Sequence, residues 1–450
     1  MTSFVVEPAT VPLVGDVTVP GDKSIGHRAL LFSLLSRTPV ALRGLGGGAD
    51  NGRTARAIVQ LGAVLERDGD VLRVVGRGAG NLRAPKEPID CGNSGTTIRL
   101  LTGLLAGQRF GATLFGDESL SKRPMRRVID PLTAMGAHIA GTVREADVVP
   151  PLTITPAAGD GARRLRGVEH ELAIASAQVK TALVLAGLYA DGKTRIAEPG
   201  PSRDHSERLL AAMGAPIRTA RNQVIVDTDG WDGELAIDAI TVPGDPSSSA
   251  FLIAAALLVG AHQVGCRSVC VNPTRTGFLD ALAAMGAHIE LEPQAAAGGE
   301  PIADLWVRGA APVLRPTTIA GDLTVRAIDE VPILAAVAAR AHGTTIVADA
   351  GELRVKESDR IATTVSMLRG FGVEAEAQGD GLVVHGSPGA PLRAARVNSE
   401  GDHRIAMAAA VLALCADGPS QIDDVDNVAT SFPTFVQVMR DLGATIRIEA

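Results

Sequence analysis

The chain has 450 residues, of which 46% are hydrophobic, 21% charged and 3% aromatic, with a formal net charge of −7. This is globular composition, long enough for more than one core, without the basic footprint or stacking platforms of a nucleic-acid binder. The longest apolar run, near residues 250–261, is too short to span a bilayer, residues 1–24 lack a signal-peptide pattern, and Cys91, Cys266, Cys270 and Cys415 form no metal-spaced set, so a cytoplasmic protein with reduced thiols and no metal is expected.

In chain order, GDKSIGHR at 21–28 opens an apolar helix with Lys23, Ser24 and Arg28 at its start. Backbone N–H groups and the dipole at such an end favour an anion, and two cations add to this. Residues 71–75 alternate as a strand. GNSGTTIR at 92–99 places Asn93, Ser94, Gly95 and Thr96 before a second apolar helix, where Gly permits close backbone approach. In LSKRPMRR at 120–127, Lys122 and Arg123 precede Pro124, which suits the first position of a helix. SAQVK at 176–180 opens a third apolar helix with Ser176 and Gln178, and SRDH at 202–205 adds Arg203. VPGDPS at 242–247 repeats VPGDKS at 19–24, so the chain reads as a duplication. NPTRTG then places Arg275, residues 295–299 read as a small-residue loop, and IDE at 328–330 supplies Asp329 and Glu330. RVKESDR at 354–360 reads as a charged helix start with Lys356 and Arg360 four apart and Glu357 alongside, and GDHR at 401–404 brings Asp402, His403 and Arg404.

A second helix in each stretch ends at a repeated glycine: Gly62, Gly136, Gly214, Gly286, Gly372 and Gly443. Glycine suits the left-handed position just past a helix. Roughly forty residues upstream of each, the apolar helices open at Lys23, Asn93, Ser176, Asp245, Asp329 and Asp402. Six copies of one βαβαββ unit, three per half, predict an α/β protein. Its halves are 22–242 and 1–21 plus 243–450, crossing near Val19–Gly21 and Val242–Gly244. Helices apolar all round are expected inside, with strands and amphipathic helices around them.

PGDKSIGHR, GNSGTTIRLL, KRPM, ASAQVK, VPGDPSS, NPTRTG, IDEVPIL, ELRVKESDR, DHRIAM and TSFP together resemble the EPSP synthase family over essentially the whole chain. The resemblance implies two inside-out α/β barrel-like domains of three units each, joined by two crossings. It also implies transfer of the enolpyruvyl group of phosphoenolpyruvate to the 5-hydroxyl of shikimate 3-phosphate, without metal or cofactor, in a monomer. By motif, Lys23, Ser24, Arg28, Ser176, Ala177, Gln178, Asp329 and Lys356 correspond to shikimate 3-phosphate contacts. Lys23, Gly95, Arg123, Gln178, Arg360 and Arg404 correspond to phosphoenolpyruvate contacts, and Asn93, Thr96 and Arg203 are further candidates. Asp329 corresponds to the base, Glu357 to the acid, and Lys23 joins them as catalytic. Two positions depart from the common pattern: Ala177 where many members have Ser, and Thr430 where many have Lys, for which Arg203 is a candidate substitute.

These residue types fit that chemistry. Two multiply anionic substrates repel unless fixed cations offset the Coulomb cost, and Arg pairs with planar carboxylates and phosphates. Protonating an enol carbon while a hydroxyl attacks needs an acid and a base. Closure of the halves on ligand is expected to exclude water. UDP-N-acetylglucosamine enolpyruvyltransferase shares the implied fold, but its family uses a loop cysteine that residues 114–124 lack. A non-catalytic anion-binding repeat protein has no use for Asp329 and Glu357.

Overall fold

A computed structural model describes residues 2–157, 164–220, 222–389 and 391–449. All six repeated glycines follow helices with φ of +81° to +106°, the left-handed region that glycine occupies without steric cost. The helices are α1 (Lys23–Leu35), α2 (Ala49–Gln60), α3 (Gly95–Ala106), α4 (Arg126–Ala134), α5 (Ala177–Gly187), α6 (His205–Ala212), α7 (Pro246–Val259), α8 (Gly277–Ala284), α9 (Asp322–Ala327), α10 (Val331–Ala338), α11 (Arg360–Gly370), α12 (His403–Ala413) and α13 (Phe435–Asp441).

Six four-stranded sheets follow one plan. In each, a strand that follows the buried helix pairs parallel with an edge strand on one side and antiparallel with a neighbour on the other. In one sheet Gly343–Val347 lies beside Thr318–Ile319 and Gly381–Gly386, and Glu374–Gln378 closes the hairpin. Two sheets borrow a strand from the N-terminus. Leu13–Thr18 pairs parallel with Ala261–Cys270, and Ser3–Val6 inserts antiparallel against both Ser420–Asp423 and Ile446–Glu449. Among the described residues no sheet closes on itself. The structure is thus mixed α/β, with six four-stranded sheets and one two-stranded sheet, Leu165–Arg166 beside Ala190–Asp191, among the described residues.

The chain divides into two units. The first holds residues 23–242 with 297–300, and the second holds 1–22, 243–296 and 301–450. The stretch 295–299, expected as a plain loop, is instead part of a hairpin joining Glu290–Ala297 to Glu300–Gly309. Its end belongs to the first unit because buried Glu300 pairs with His205 Nδ1 at 2.8 Å.

Each unit has three helices buried on nearly every side: α1, α3 and α5 in the first, α7, α10 and α12 in the second. Small residues let them approach. An ideal Cβ on Gly103 of α3 would sit 2.2 Å from the carbonyl oxygen of Ala182 in α5. Backbone cannot yield as a side-chain tip can, so Gly103→Ala is expected to cost about 1–3 kcal/mol through overpacking. Urea denaturation checks this, and an unchanged midpoint contradicts it.

Two boundaries differ from expectation. Pro124 lies ahead of α4, which starts at Arg126, while Leu120–Lys122 form a short 3₁₀ turn. Lys356 and Glu357 also precede their helix, because Asp359 caps α11 by accepting from the N–H groups of Ile361 and Ala362. The four cysteines form no disulfide, and burial pushes the Cys266 thiol up to about 12. No helix of the described residues is long and apolar enough to cross a membrane.

Candidate active site

In the first unit the buried helices bring their N-terminal residues together. Lys23 Nζ donates to Asp50 Oδ2 of α2 at 3.2 Å. Ser24 Oγ accepts from Arg203 at 3.4 Å. Arg28 is buried, giving Nε to Ser206 Oγ at 2.6 Å, Nη1 to the Ser24 carbonyl at 2.9 Å and Nη2 to Thr181 Oγ1 at 3.0 Å. A longer contact, 3.5 Å, reaches the carbonyl of Ala177. Arg28 therefore ties α1 to α5 and α6. Ser176 caps α5 through the Val179 N–H, and its own N–H donates to Glu198 at 2.9 Å.

The start of α3 carries a second group. Ser94 caps the helix by accepting from Thr97 N–H at 3.1 Å. Arg123 is mostly buried and donates to Asn93 Oδ1 at 2.7 Å. Gln178 of α5 accepts from Arg99 at 2.6 Å and donates to Thr96 Oγ1 at 2.9 Å. A Cβ on Gly95 would lie 3.0 Å from both Arg123 Nη1 and Arg99 Nη1. Gly95 thus leaves to the two guanidinium groups the space a side chain would take. Behind these residues, Lys180 bridges Glu198 and Glu207 at 2.8 Å each, a buried charge set that fixes α5.

In the second unit one cluster holds most of the predicted residues. Asp329 lies in a 3₁₀ turn before α10, with Lys356 at 3.5 Å, Arg360 at 3.4 Å and Arg404 at 3.9 Å. Arg360 also donates to Glu357 Oε2 at 2.5 Å and to Asp402 Oδ2 at 2.8 Å. Arg404 donates to the Asp329 carbonyl at 2.9 Å, and its backbone N–H is capped by Asp402. Burial works against charge on Asp402, yet Arg360 holds its carboxyl below the ordinary value. Burial also lowers the Lys356 ammonium; Asp329 opposes that shift and Arg360 adds to it. Cations and carboxylates alternate here, so every charge faces an opposite one within about 4 Å.

Thr430 ends a separate 3₁₀ turn and donates to the Asn427 carbonyl at 2.7 Å. Sequence reading gave no role to Asp50 or Arg99, nor to the bond by which Asp402 holds Arg360. Asp50 stands outside the quoted motifs, Arg99 closes the motif at 92–99 without having been given a role, and only the three-dimensional packing brings them to Lys23 and Gly95. One other polar group, Asp204, His205 and Glu300, places one donor atom each within 4.8 Å. Arg208 pairs with Asp204 at 2.8 Å and Glu300 lies 2.8 Å from His205 Nδ1.

His27, next to Arg28, is fully buried. Burial first, then the charges of Lys23 and Arg28, hold it well below the ordinary 6.5. Burial also lowers His170. The unfolded chain takes up protons near 6.5 that the folded histidines resist, so their contribution is present above that pH and lost as pH falls below it. The melting temperature is expected to fall from about pH 7 to about pH 5, less steeply in His27→Asn. An identical slope in wild type and variant contradicts this.

Anion-favouring helix starts, clustered arginines and two carboxylates among them define a class: an α/β enzyme acting on small, multiply charged substrates. The family model for EPSP synthase (3-phosphoshikimate 1-carboxyvinyltransferase) matches residues 8–439. A 3-phosphoshikimate 1-carboxyvinyltransferase of Geobacter metallireducens is 45% identical over 448 residues, covering 99% of this chain and 100% of that protein. One from Coxiella burnetii is 46% identical over 443 residues, covering 97% of each. The solved structure of EPSP synthase from Acinetobacter baumannii superimposes with a TM-score of 0.87 at 38% identity, covering 100% of both chains. The chain belongs to the EPSP synthase family.

Proposed function

We propose that the protein transfers the enolpyruvyl group of phosphoenolpyruvate to the 5-hydroxyl of shikimate 3-phosphate, releasing phosphate. The observation that carries this reading is the second-unit cluster, where Asp329 and Glu357 share Arg360 and the cations Lys356 and Arg404 stand beside them. Glu357 protonates the methylene carbon of phosphoenolpyruvate, leaving a cationic centre at the neighbouring carbon. The 5-hydroxyl attacks that carbon as Asp329 takes its proton. The carbon–oxygen bond to phosphate then breaks, the leaving phosphate taking the proton held by Asp329, while the methyl carbon returns a proton to Glu357, restoring the double bond. The products are 5-enolpyruvylshikimate 3-phosphate and phosphate.

In this reading Lys23, Ser24, Arg28, Ser176, Ala177, Gln178 and Lys356 hold shikimate 3-phosphate with Asp329. Lys23, Gly95, Arg123, Gln178, Arg360 and Arg404 hold phosphoenolpyruvate, with Asn93, Thr96 and Arg203 as supporting polar groups. Lys23 has two roles, contact with both substrates and a place among the catalytic groups. Arg28 meets its substrate with a guanidinium already fixed by Ser206 and Thr181, which limits the entropy lost on binding. Each unit is read as one inside-out barrel-like domain, supported by three helices buried within sheets that stay separate. The net charge of −7 gives no global basic footprint for nucleic acid, and four cysteines that form no disulfide support a reducing cytoplasm. The protein is read as a monomer.

Two expected results test the roles in the first unit. Arg123→Ala should weaken phosphoenolpyruvate binding by roughly 2–5 kcal/mol, as for truncation of a buried charged partner. Unchanged affinity in a direct titration removes Arg123 from the site. Gly95→Ala pushes a methyl against Arg123 and Arg99, and the resemblance implies that glyphosate competes with phosphoenolpyruvate there. The native protein should be sensitive, and the alanine variant should lose more affinity for glyphosate than for phosphoenolpyruvate. Equal loss of both, or a native protein already insensitive, contradicts the steric account.

A further inference from the structure

We propose that His27 is a positioning residue for the helix start at Ser94–Gly95, acting through a buried line of hydroxyl groups that crosses three helices. The proposal rests on the reading of Gly95 and Arg123 as part of the phosphoenolpyruvate site. His27 Nδ1 lies 2.7 Å from Thr54 Oγ1, Thr54 Oγ1 lies 2.7 Å from Thr97 Oγ1, and Thr97 Oγ1 lies 2.8 Å from Ser94 Oγ. His27, Thr54 and Thr97 are wholly buried and Ser94 is nearly so. The line runs from α1, which carries Lys23 and Ser24, through α2, which carries Asp50, to the first turn of α3.

Its direction follows from donor counting. Ser94 Oγ already accepts the Thr97 N–H as a helix cap and also accepts the Thr97 hydroxyl. The Thr97 hydrogen is therefore committed, so Thr54 must donate to Thr97. Thr54 in turn can only accept from the ring, which makes His27 Nδ1 the donor. Nε2 of His27 is buried with no hydrogen-bond partner among the described residues. A proton there would be an unsatisfied buried donor, so the ring stays neutral with its hydrogen on Nδ1.

Removing that donor leaves Thr54 an unsatisfied acceptor in a closed interior, and its hydroxyl is free to reverse. The line then no longer aims Thr97 at Ser94. The Ser94 cap loosens, and with it the backbone N–H groups of Gly95 and Thr96. None of these groups exchanges a proton with the substrates, so the effect falls on phosphoenolpyruvate binding and not on the chemical step.

The test compares His27→Asn, His27→Leu and Thr54→Val for KM and kcat with phosphoenolpyruvate and shikimate 3-phosphate, with circular dichroism as the folding control. Asn places an amide N–H near the Nδ1 position; Leu has no donor. His27→Asn should keep KM for phosphoenolpyruvate within about two-fold, while His27→Leu raises it about ten-fold, the scale of one buried hydrogen bond. Thr54→Val, which keeps the side-chain shape and deletes the hydroxyl, should match His27→Leu and replaces it if that variant does not fold. In all three, kcat should stay within about three-fold, the loss being in binding. Equal KM increases in Asn and Leu, wild-type KM in both His27→Leu and Thr54→Val, or loss of kcat with KM unchanged overturns the proposal. Arg123→Ala, measured in parallel, separates the two failures. If it raises KM while the His27 and Thr54 variants do not, only the positioning role falls. If it too leaves KM unchanged, the site reading has failed and the proposal falls with it.

Discussion

Glu357→Gln should lower turnover about 10²–10⁴-fold, the usual worth of a positioned general acid, while phosphoenolpyruvate binding stays near normal. The geometry explains the split. Glu357 accepts from Arg360 at 2.5 Å, and the glutamine amide keeps one carbonyl oxygen for that bond. Arg360 therefore remains fixed by Glu357, Asp402 and Asp329, and the anion-binding face is preserved. Only the transferable proton is lost. Glu357→Ala should differ by also raising KM, because it frees one side of Arg360. Steady-state kinetics decide: if Glu357→Gln turns over at nearly the native rate, Glu357 is not the acid.

Arg360→Ala should have the largest combined effect. Arg360 is buried, and burial alone would lower its pKa, but Asp402, Glu357 and Asp329 together outweigh this and raise it. Its removal leaves those three carboxylates facing one another. Breaking such a buried pair costs about 3–5 kcal/mol because the remaining charges are uncompensated, and phosphoenolpyruvate binding should be lost as well. Arg360→Lys keeps the charge but not the planar fork that reaches three acceptors, so it should fall between native and alanine in both respects. Urea denaturation with a parallel phosphoenolpyruvate titration tests this. Native stability in Arg360→Ala would mean that the cluster does not hold its carboxylates through this residue.

The repeat was legible in the chain because it rests on local rules. A glycine past a helix end and an apolar helix about forty residues before it can be read without tertiary contacts, and all six glycines have the expected positive φ. Charged motifs at helix starts pointed to Asp329, Glu357, Arg360 and Arg404, which the structure gathers in one cluster. Boundaries were less legible where side chains compete with backbone. Asp359 captures two N–H groups, so α11 starts at Arg360 and not at Lys356. Residues 295–299 read as a loop because their small residues carry no strand alternation, yet they close a hairpin between Glu290–Ala297 and Glu300–Gly309. Its first-unit assignment depends on Glu300 meeting His205, a pairing across 95 residues of chain. The same limit hid Asp50 beside Lys23 and Arg99 behind Gly95, and it hid the hydroxyl line from His27 to Ser94.

The central claim is that this chain carries out enolpyruvyl transfer to shikimate 3-phosphate. The direct measurement is phosphate release from phosphoenolpyruvate with the purified protein, in the presence and absence of shikimate 3-phosphate and, separately, of UDP-N-acetylglucosamine. The account predicts release only with shikimate 3-phosphate, lowered about 10²–10⁴-fold by Glu357→Gln. Release that is independent of shikimate 3-phosphate, or that depends on the nucleotide sugar instead, would contradict it.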